Sequence, residues 1–502
     1  MRSMHVRFVG AVALVLTLAA CATPSGSSVT SVSIDGGDRT VVVDDSLTLT
    51  ATVVTSGGAS AAVTWESSDE AVAGIDDAGS VAILTAGTTD VTATSTVDPS
   101  MRDTVTLTVD PLGVLMWTRQ FGTSSFDDAN GVATDAYGNV YVAGRTFGDL
   151  EGANAGDQDA FVRSYGSDGA LRWTRQFGTS SEDVASAVAT DASGNVYAAG
   201  TTGGALEGPS AAVLDVFVRS FDSDGTIRWT HQFGSDAADA ALGVATDASG
   251  NVYVVGYTGG ALEGPSAGGV DAFVRSFDGD GALRWTRQFG TDGTDQAFGV
   301  ATDASGNVYV AGRTGGALEG PSAGGVDAFV RSYGGDGALR WARQFGTSAS
   351  DVAAGVATDA SGNVYVVGFT AGALEGPSAG DSDAFLRSYG GDGALRWTRQ
   401  FGTSASDVAR GVATDASGNV YVSGYTGGAL EGTSVGGTDA FLRSFGGDGT
   451  LRWTRQFGTS SFDAGYGVAA DAGGVYVVGR TDGDLDGASA SVTDAFIRTY
   501  GR

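Results

Sequence analysis

The chain has 502 residues, 42% of them hydrophobic, which is enough for a large core and a length suited to two to four domains. Glycine is conspicuous at 81 residues, whereas 7 prolines exclude collagen-like and proline-rich architectures. Against 58 acidic residues stand 28 basic ones, all arginine, for a formal net charge of −30. A surface so acidic repels phosphate backbones and excludes nucleic acid as a partner. One cysteine, Cys21, and two histidines, His5 and His231, exclude an intrachain disulfide and a Cys/His zinc cluster. Carboxylate chemistry, or none, is what remains.

Residues 1–20 run from a basic start through an apolar stretch, Phe8 to Leu18, to small residues, the pattern of a secretory signal and too short for a permanent membrane span. Leu18-Ala19-Ala20-Cys21 resembles the lipobox of bacterial lipoproteins. The resemblance implies lipidation of Cys21 and a lipid-anchored protein exported to the cell envelope, with the membrane as a partner. Ala22 after the cysteine resembles outer-membrane sorting, which places the chain on the outer membrane or cell surface. Residues 21–28 then read as the lipidated cysteine and a flexible tether.

Residues 29–110 change to short alternating strands, expected at 29–34, 40–43, 46–54, 62–66, 91–95 and 104–109. Alternation such as Leu47, Leu49, Ala51 and Val53 turns one face inward, as a two-sheet sandwich requires. The run Val63-Thr64-Trp65-Glu66-Ser67-Ser68-Asp69, then Val72 to Asp76, Gly79 and Leu84 to Thr88, resembles the bacterial Ig-like group 2 domain. Trp65 reads as its core anchor. The resemblance implies a spacer or adhesion module.

Residues 111–502 are periodic. Trp117, Trp173, Trp229, Trp285, Trp341, Trp397 and Trp453 fall 56 residues apart, and each opens a repeat close to W-T-R-Q-F-G-T, then G-V-A-T-D-A-S-G-N-V-Y-V, then D-A-F-V-R-S-Y. The pattern resembles the SBBP β-propeller repeat and implies an all-β, seven-bladed propeller. In the first copy strands are expected at 131–134, 140–144, 160–165 and 171–177, with glycine turns between the first two and the last two. The chain enters this region with a lone fourth strand, 113–121, and leaves after a third. That strand is therefore expected to complete the last blade and remove its open edge. A monomer is expected.

Compared within the chain, the repeats are nearly identical at one end of the blades and vary at the other. The variable positions expected just before the first strand are Asn130, Ser186, Leu242, Phe298, Ala354, Arg410 and Tyr466. Those expected just after the second strand are Arg145, Thr201, Tyr257, Arg313, Phe369, Tyr425 and Arg480. Aromatic residues and arginine dominate binding hot spots, so these residues are the candidate ligand site; the alternative is drift at exposed loop ends. The same end carries recurring acids, such as Asp127, Glu151 and Asp159, expected to cap backbone N–H groups or to pair with Arg163 and its equivalents. Asp222-Ser223-Asp224-Gly225 and Asp278-Gly279-Asp280-Gly281 begin like calcium loops but lack the later bidentate acid. No cofactor is expected beyond a possible structural calcium.

His231 replaces a recurrent arginine and reads as structural. Blade-specific acids exist, Asp128, Glu182, Asp236, Asp292 and Asp381, without a recognisable partner for paired-carboxylate hydrolysis. The leading reading is a non-catalytic surface lipoprotein that binds a glycan or protein ligand or mediates adhesion. A carboxylate-dependent polysaccharide enzyme and a purely structural envelope scaffold are the alternatives.

Overall fold

The computed structural model describes residues 26–42, 46–211, 213–487 and 492–502, and every regular element in them is a β-strand. The signal segment, Cys21 and most of the tether lie outside the described residues. Two compact units divide between Pro111 and Leu112.

The first unit holds three small sheets. Ser28–Ile34 pairs antiparallel with Ala51–Ser56, while Arg39–Val42 runs parallel to Arg102–Asp110, which continues through Gly87–Ser95 to Val63–Ser67. Ser46–Thr48, Ser80–Ile83 and Ala73–Ile75 form the third. The expected strand 46–54 is thus split at Leu49 and Thr50, and its halves enter different sheets. Inward positions Val91, Ala93, Val105, Leu107 and Val109 are buried together with Leu49 and Val81. Trp65 is half-buried and packs against this core from its margin, a correction to its reading as the central anchor.

The second unit repeats one four-stranded antiparallel sheet. In the first copy strand a is Asp127–Thr134, b is Val140–Thr146, c is Asp159–Tyr165 and d is Leu171–Phe177, hydrogen-bonded in that order. Both hairpin turns need a left-handed residue, and Gly138 (φ 80°) and Gly169 (φ 75°) supply it at no Cβ penalty. Five further sheets follow in the same way. A seventh is composite: Leu115–Phe121 pairs with Asp494–Tyr500, followed by Val475–Thr481 and Asp463–Ala470.

The sheets stay open, each ending at a free strand a and a free strand d. The leading strand therefore fills the fourth place in the last sheet without abolishing edges, which corrects that part of the expectation. Neighbours are joined face to face. Seven apolar clusters are each shared by two adjacent sheets, and one of them sets Val140, Val142 and Phe161 of the first sheet against Tyr476, Val478 and Ile497 of the last.

The periodic tryptophan is the fastener between sheets. Trp285 lies 5.9 Å from Tyr253 of its own sheet and 6.5 Å from Tyr333 of the next, centroid to centroid. Its indole N–H donates to Gly335 O of that next sheet at 3.0 Å, and two residues on Arg287 Nε donates to Gly337 O at 2.9 Å. A Cβ on Gly337 would stand 2.7 Å from the indole, so this turn admits only glycine for a second reason. Equivalent Trp bonds run from Trp117, Trp173, Trp229, Trp341 and Trp397.

Trp453 is the exception. It faces the composite sheet, where strands c and d come from opposite ends of the chain and no c–d hairpin offers the carbonyl. Its ring packs on Gly113 and Arg455 Nε donates to Gly113 O, but its buried indole N–H has no acceptor. Replacing either Trp with Phe removes similar packing, so their difference isolates the N–H. Trp285→Phe loses a hydrogen bond, whereas Trp453→Phe removes an unmatched donor. Urea titration should show Trp453→Phe less destabilising by about 1–2 kcal/mol; equal losses would contradict this account of the seam.

Candidate functional site

One cavity of about 580 Å³ is lined by strand a of all seven sheets. In every one of those strands the pairing register slips at the same place, between Ala129 and Gly131 in the first sheet and between Gly465 and Gly467 in the last. The skipped residues are Asn130, Ser186, Leu242, Phe298, Ala354, Arg410 and Tyr466, and all seven line the cavity. A β-bulge leaves one residue out of the ladder and re-aims its side chain. Here it does so seven times toward a common space.

These residues lie inside strand a, not before it, because the strand starts at Asp127. Six of them are half-buried and only Arg410 is exposed, so the reading as free loop ends does not hold. The second set likewise lies inside strand b, and the structure divides it. Arg145 and Arg480 line the cavity; Tyr257, Arg313, Phe369 and Tyr425 do not, and Thr201 is buried. Arg313 instead stands over Phe298 at 5.8 Å, and Tyr425 packs on Phe462 at 6.1 Å.

The cavity is chemically two-sided. Leu242, Phe298 and Ala354 make an apolar arc on three consecutive sheets, while Arg410, Tyr466, Arg480 and Arg145 follow on the next three sheets round the ring. Arg145 is committed: its Nε and Nη2 donate to Asp128 Oδ2 at 2.8 and 2.6 Å, across the a–b pairing that sets the two residues opposite each other. Asp128 therefore has a partner that the sequence did not reveal. At the equivalent place Arg480 faces Ala464 and has no such acid. The Tyr466 hydroxyl is pushed up to about 12 by burial, against the opposing pull of Arg480 and Arg410, and stays an O–H donor at neutral pH.

The recurring acids are structural. Asp183 Oδ2 accepts from Thr179 N and Oγ1 at 2.6 and 2.9 Å, and Asp159 Oδ2 accepts from Ala155 N and Gln176 Nε2 at 3.0 and 2.9 Å. The glutamates of the b–c loop pair with strand d, not with the strand c arginines as expected: Glu151 with Arg175 and Glu263 with Arg287, both at 3.2 Å. Among the described residues only Glu319 takes the expected partner, Arg331. The strand c arginines instead lie over the strand d phenylalanine of the preceding sheet, as Arg163 over Phe121 at 4.4 Å and Arg331 over Phe289 at 4.1 Å.

Asp222 closes its hairpin by accepting from Asp224 N and Thr226 N, at 3.0 and 2.8 Å. Among the described residues no three acids, histidines or cysteines gather as a metal site. His231 stacks on Phe277 at 5.4 Å between two sheets.

Two recurrent groups escaped the sequence reading. Asp135 accepts from Asn139 Nδ2 and from the buried Tyr141 hydroxyl, at 2.7 and 2.9 Å. Gln176 holds the b–c loop through Leu150 N, Glu151 N and Gly148 O. Their invariance across the copies was the available signal.

Burial is the main cause that raises the carboxyls of Asp127, Asp183, Asp239, Asp351, Asp407 and Asp463 above the ordinary aspartate value, with a neighbouring aspartate adding to it. The folded state thus holds these protons more tightly than the unfolded chain does. Their contribution favours folding at low pH and is lost as pH rises through the raised values. Asp183→Asn keeps an acceptor for Thr179, and calorimetry should show a higher Tm at pH 7 with a smaller gain toward pH 3. A loss of equal size at both pH values would contradict this reading.

Comparison with known proteins agrees with this architecture. Residues 28–105 match the bacterial Ig-like domain (group 2). Segments 117–151, 172–206, 228–262, 284–318, 340–374 and 396–430 match the β-propeller repeat. The chain thus contains six segments of the β-propeller repeat type and one bacterial Ig-like module.

It is 26% identical over 362 residues to the regulatory protein FlaEY of Caulobacter vibrioides, covering 59% of this chain and 36% of that protein. It is also 26% identical over 204 residues to an uncharacterized WD repeat-containing protein, L264, of Acanthamoeba polyphaga mimivirus, covering 32% of this chain and 15% of that one. The chain thus spans well under half of either relative. Among solved structures it is similar to the WD40 domain of Neurospora crassa Pan2, at 8% identity and a TM-score of 0.42, covering 78% of this chain and 96% of that one.

Proposed function

We propose that this chain is a non-catalytic binding protein, lipid-anchored through Cys21 at the cell surface, whose second unit is a closed seven-bladed propeller that takes a glycan at one mouth of its channel. The observation that carries the reading is the convergence of all seven bulged, variable residues on one cavity of about 580 Å³. A site of that size holds a small ligand or the end of a longer one, whereas a protein partner would need a broad surface. Aromatic rings at Phe298 and Tyr466 offer faces for sugar rings, and arginines offer directed donors.

The lining of this cavity is poor in acids. Its one carboxylate, Asp128, is held by Arg145 at 2.6 Å, so the cavity presents no second acid for a hydrolytic pair. The names of the relatives, a regulatory protein and a WD-repeat protein, fit a binding role. The Ig-like module would act as a spacer between anchor and propeller.

Screening the full chain against a glycan array, beside a variant with Leu242, Phe298, Arg410 and Tyr466 all changed to Ser, tests the placement. Binding by the native chain should fall at least tenfold in the variant. Undiminished binding would move the site off the channel mouth.

A further inference from the structure

The charge in the cavity is opposite to the charge of the protein. Within a chain of net charge −30, the ionisable groups on the cavity wall are Arg145, Arg410 and Arg480 against Asp128 and one neutral tyrosine, Tyr466. Asp128 neutralises Arg145, which leaves Arg410 on one sheet and Arg480 on the next, the latter sharing its sheet with the bulged Tyr466.

Neither guanidinium has a hydrogen-bond partner among the described residues. Arg410 is exposed and has no ion pair or hydrogen bond through its guanidinium among the described residues; the group stands over the Tyr425 ring at 5.8 Å. Arg480 rests over Phe462 at 4.5 Å, and its buried Nε has no hydrogen-bond partner. The nearest acid, Asp482, is 4.0 Å from that nitrogen and already accepts from the Thr493 hydroxyl at 2.8 Å. Other arginines of this unit are held by backbone carbonyls and glutamates, as Arg175 is by Gly225 O and Glu151 and Arg287 by Gly337 O and Glu263. Leaving two of them open beside one cavity, in a molecule short of cations, calls for an anion to complete them.

The rest of the chain restricts what that anion can be. The surface acids repel a polyanion along its whole length, but at physiological ionic strength charges beyond about 8 Å are largely screened, so a single anionic group inside the cavity responds mainly to the local arginines. Across the cavity, Leu242, Phe298 and Ala354 supply an apolar wall for an uncharged body.

We infer that the ligand is a glycan end bearing one anionic group, carboxylate or sulfate, held between Arg410 and Arg480 with the Tyr466 hydroxyl as a further donor. This rests on the glycan reading above. Guanidinium groups suit both oxyanions, through paired N–H donors in a fixed plane.

The test uses the full chain in 150 mM salt and calorimetric titration with three oligosaccharides that differ only in the terminal sugar: glucuronate, glucose 6-sulfate or glucose. The glucuronate or the sulfate form should bind at least tenfold tighter than the uncharged one, and which of them does so identifies the source of the charge. Arg410→Gln and Arg480→Gln should each weaken the charged ligand about tenfold and the uncharged one far less, so that the preference for the charged sugar collapses. The charge-matched Arg102→Gln, exposed in the Ig-like module, should change neither. Equal binding of all three sugars, or charged binding that survives both Gln variants, would overturn the anion inference while leaving the glycan reading intact. Binding of none of them would overturn both.

Discussion

Everything in the second unit depends on how one open sheet is fastened to the next. A four-stranded sheet with two apolar faces cannot stand alone in water, and stacking is the remedy. What turns stacking into a defined sheet-to-sheet geometry is the tryptophan of strand d. It fills the gap beside Tyr on its own sheet, lies against a glycine turn of the neighbour, and donates its one polar hydrogen there, as Trp173 does to Ser223 O at 2.9 Å. Apolar packing alone would tolerate sliding of one sheet on another. A buried donor that must find a particular carbonyl does not. Arginines over phenylalanines and the belt of hydroxyl bonds such as Thr190 Oγ1 to Thr134 O, at 2.7 Å, add further fixed points along the same interface.

The seam at Trp453 shows what the arrangement demands of the chain. Joining the first strand to the last three completes the seventh sheet, but leaves that sheet without a continuous c–d turn. The tryptophan facing it keeps its packing and loses its acceptor. The break falls at one end of the blades, away from the bulges, so it leaves the cavity wall unaffected.

The bulges make the same scaffold useful. Sheet packing constrains most of strand a, which runs between two neighbours and must be small or β-branched. An unpaired residue escapes that constraint, because its side chain lines the cavity and has no partner across its own hairpin. That is the physical reason why this position ranges from Ala354 to Phe298 to Arg410 while the residues on either side hardly change.

Much of this was legible in the residues themselves. A 56-residue period with glycine turns and alternating strands defines the repeated sheet, and the leading unpaired strand implies where it must go. The list of variable residues was also legible, since copies can be compared inside one chain. Their meaning was not. Whether Asn130 precedes a strand or bulges from it depends on register with Gly144, which is decided by pairing across the hairpin. That Arg145 is held by a cross-strand Asp128 while Arg480 faces Ala464 depends on which residue lies opposite, not on any local pattern. The convergence of seven residues from positions as much as 336 apart, Asn130 to Tyr466, arises only when the seven sheets pack together. Local propensity and periodicity act over a few residues and belong to the sequence; adjacency across sheets, and the charge balance it creates, belongs to the tertiary structure.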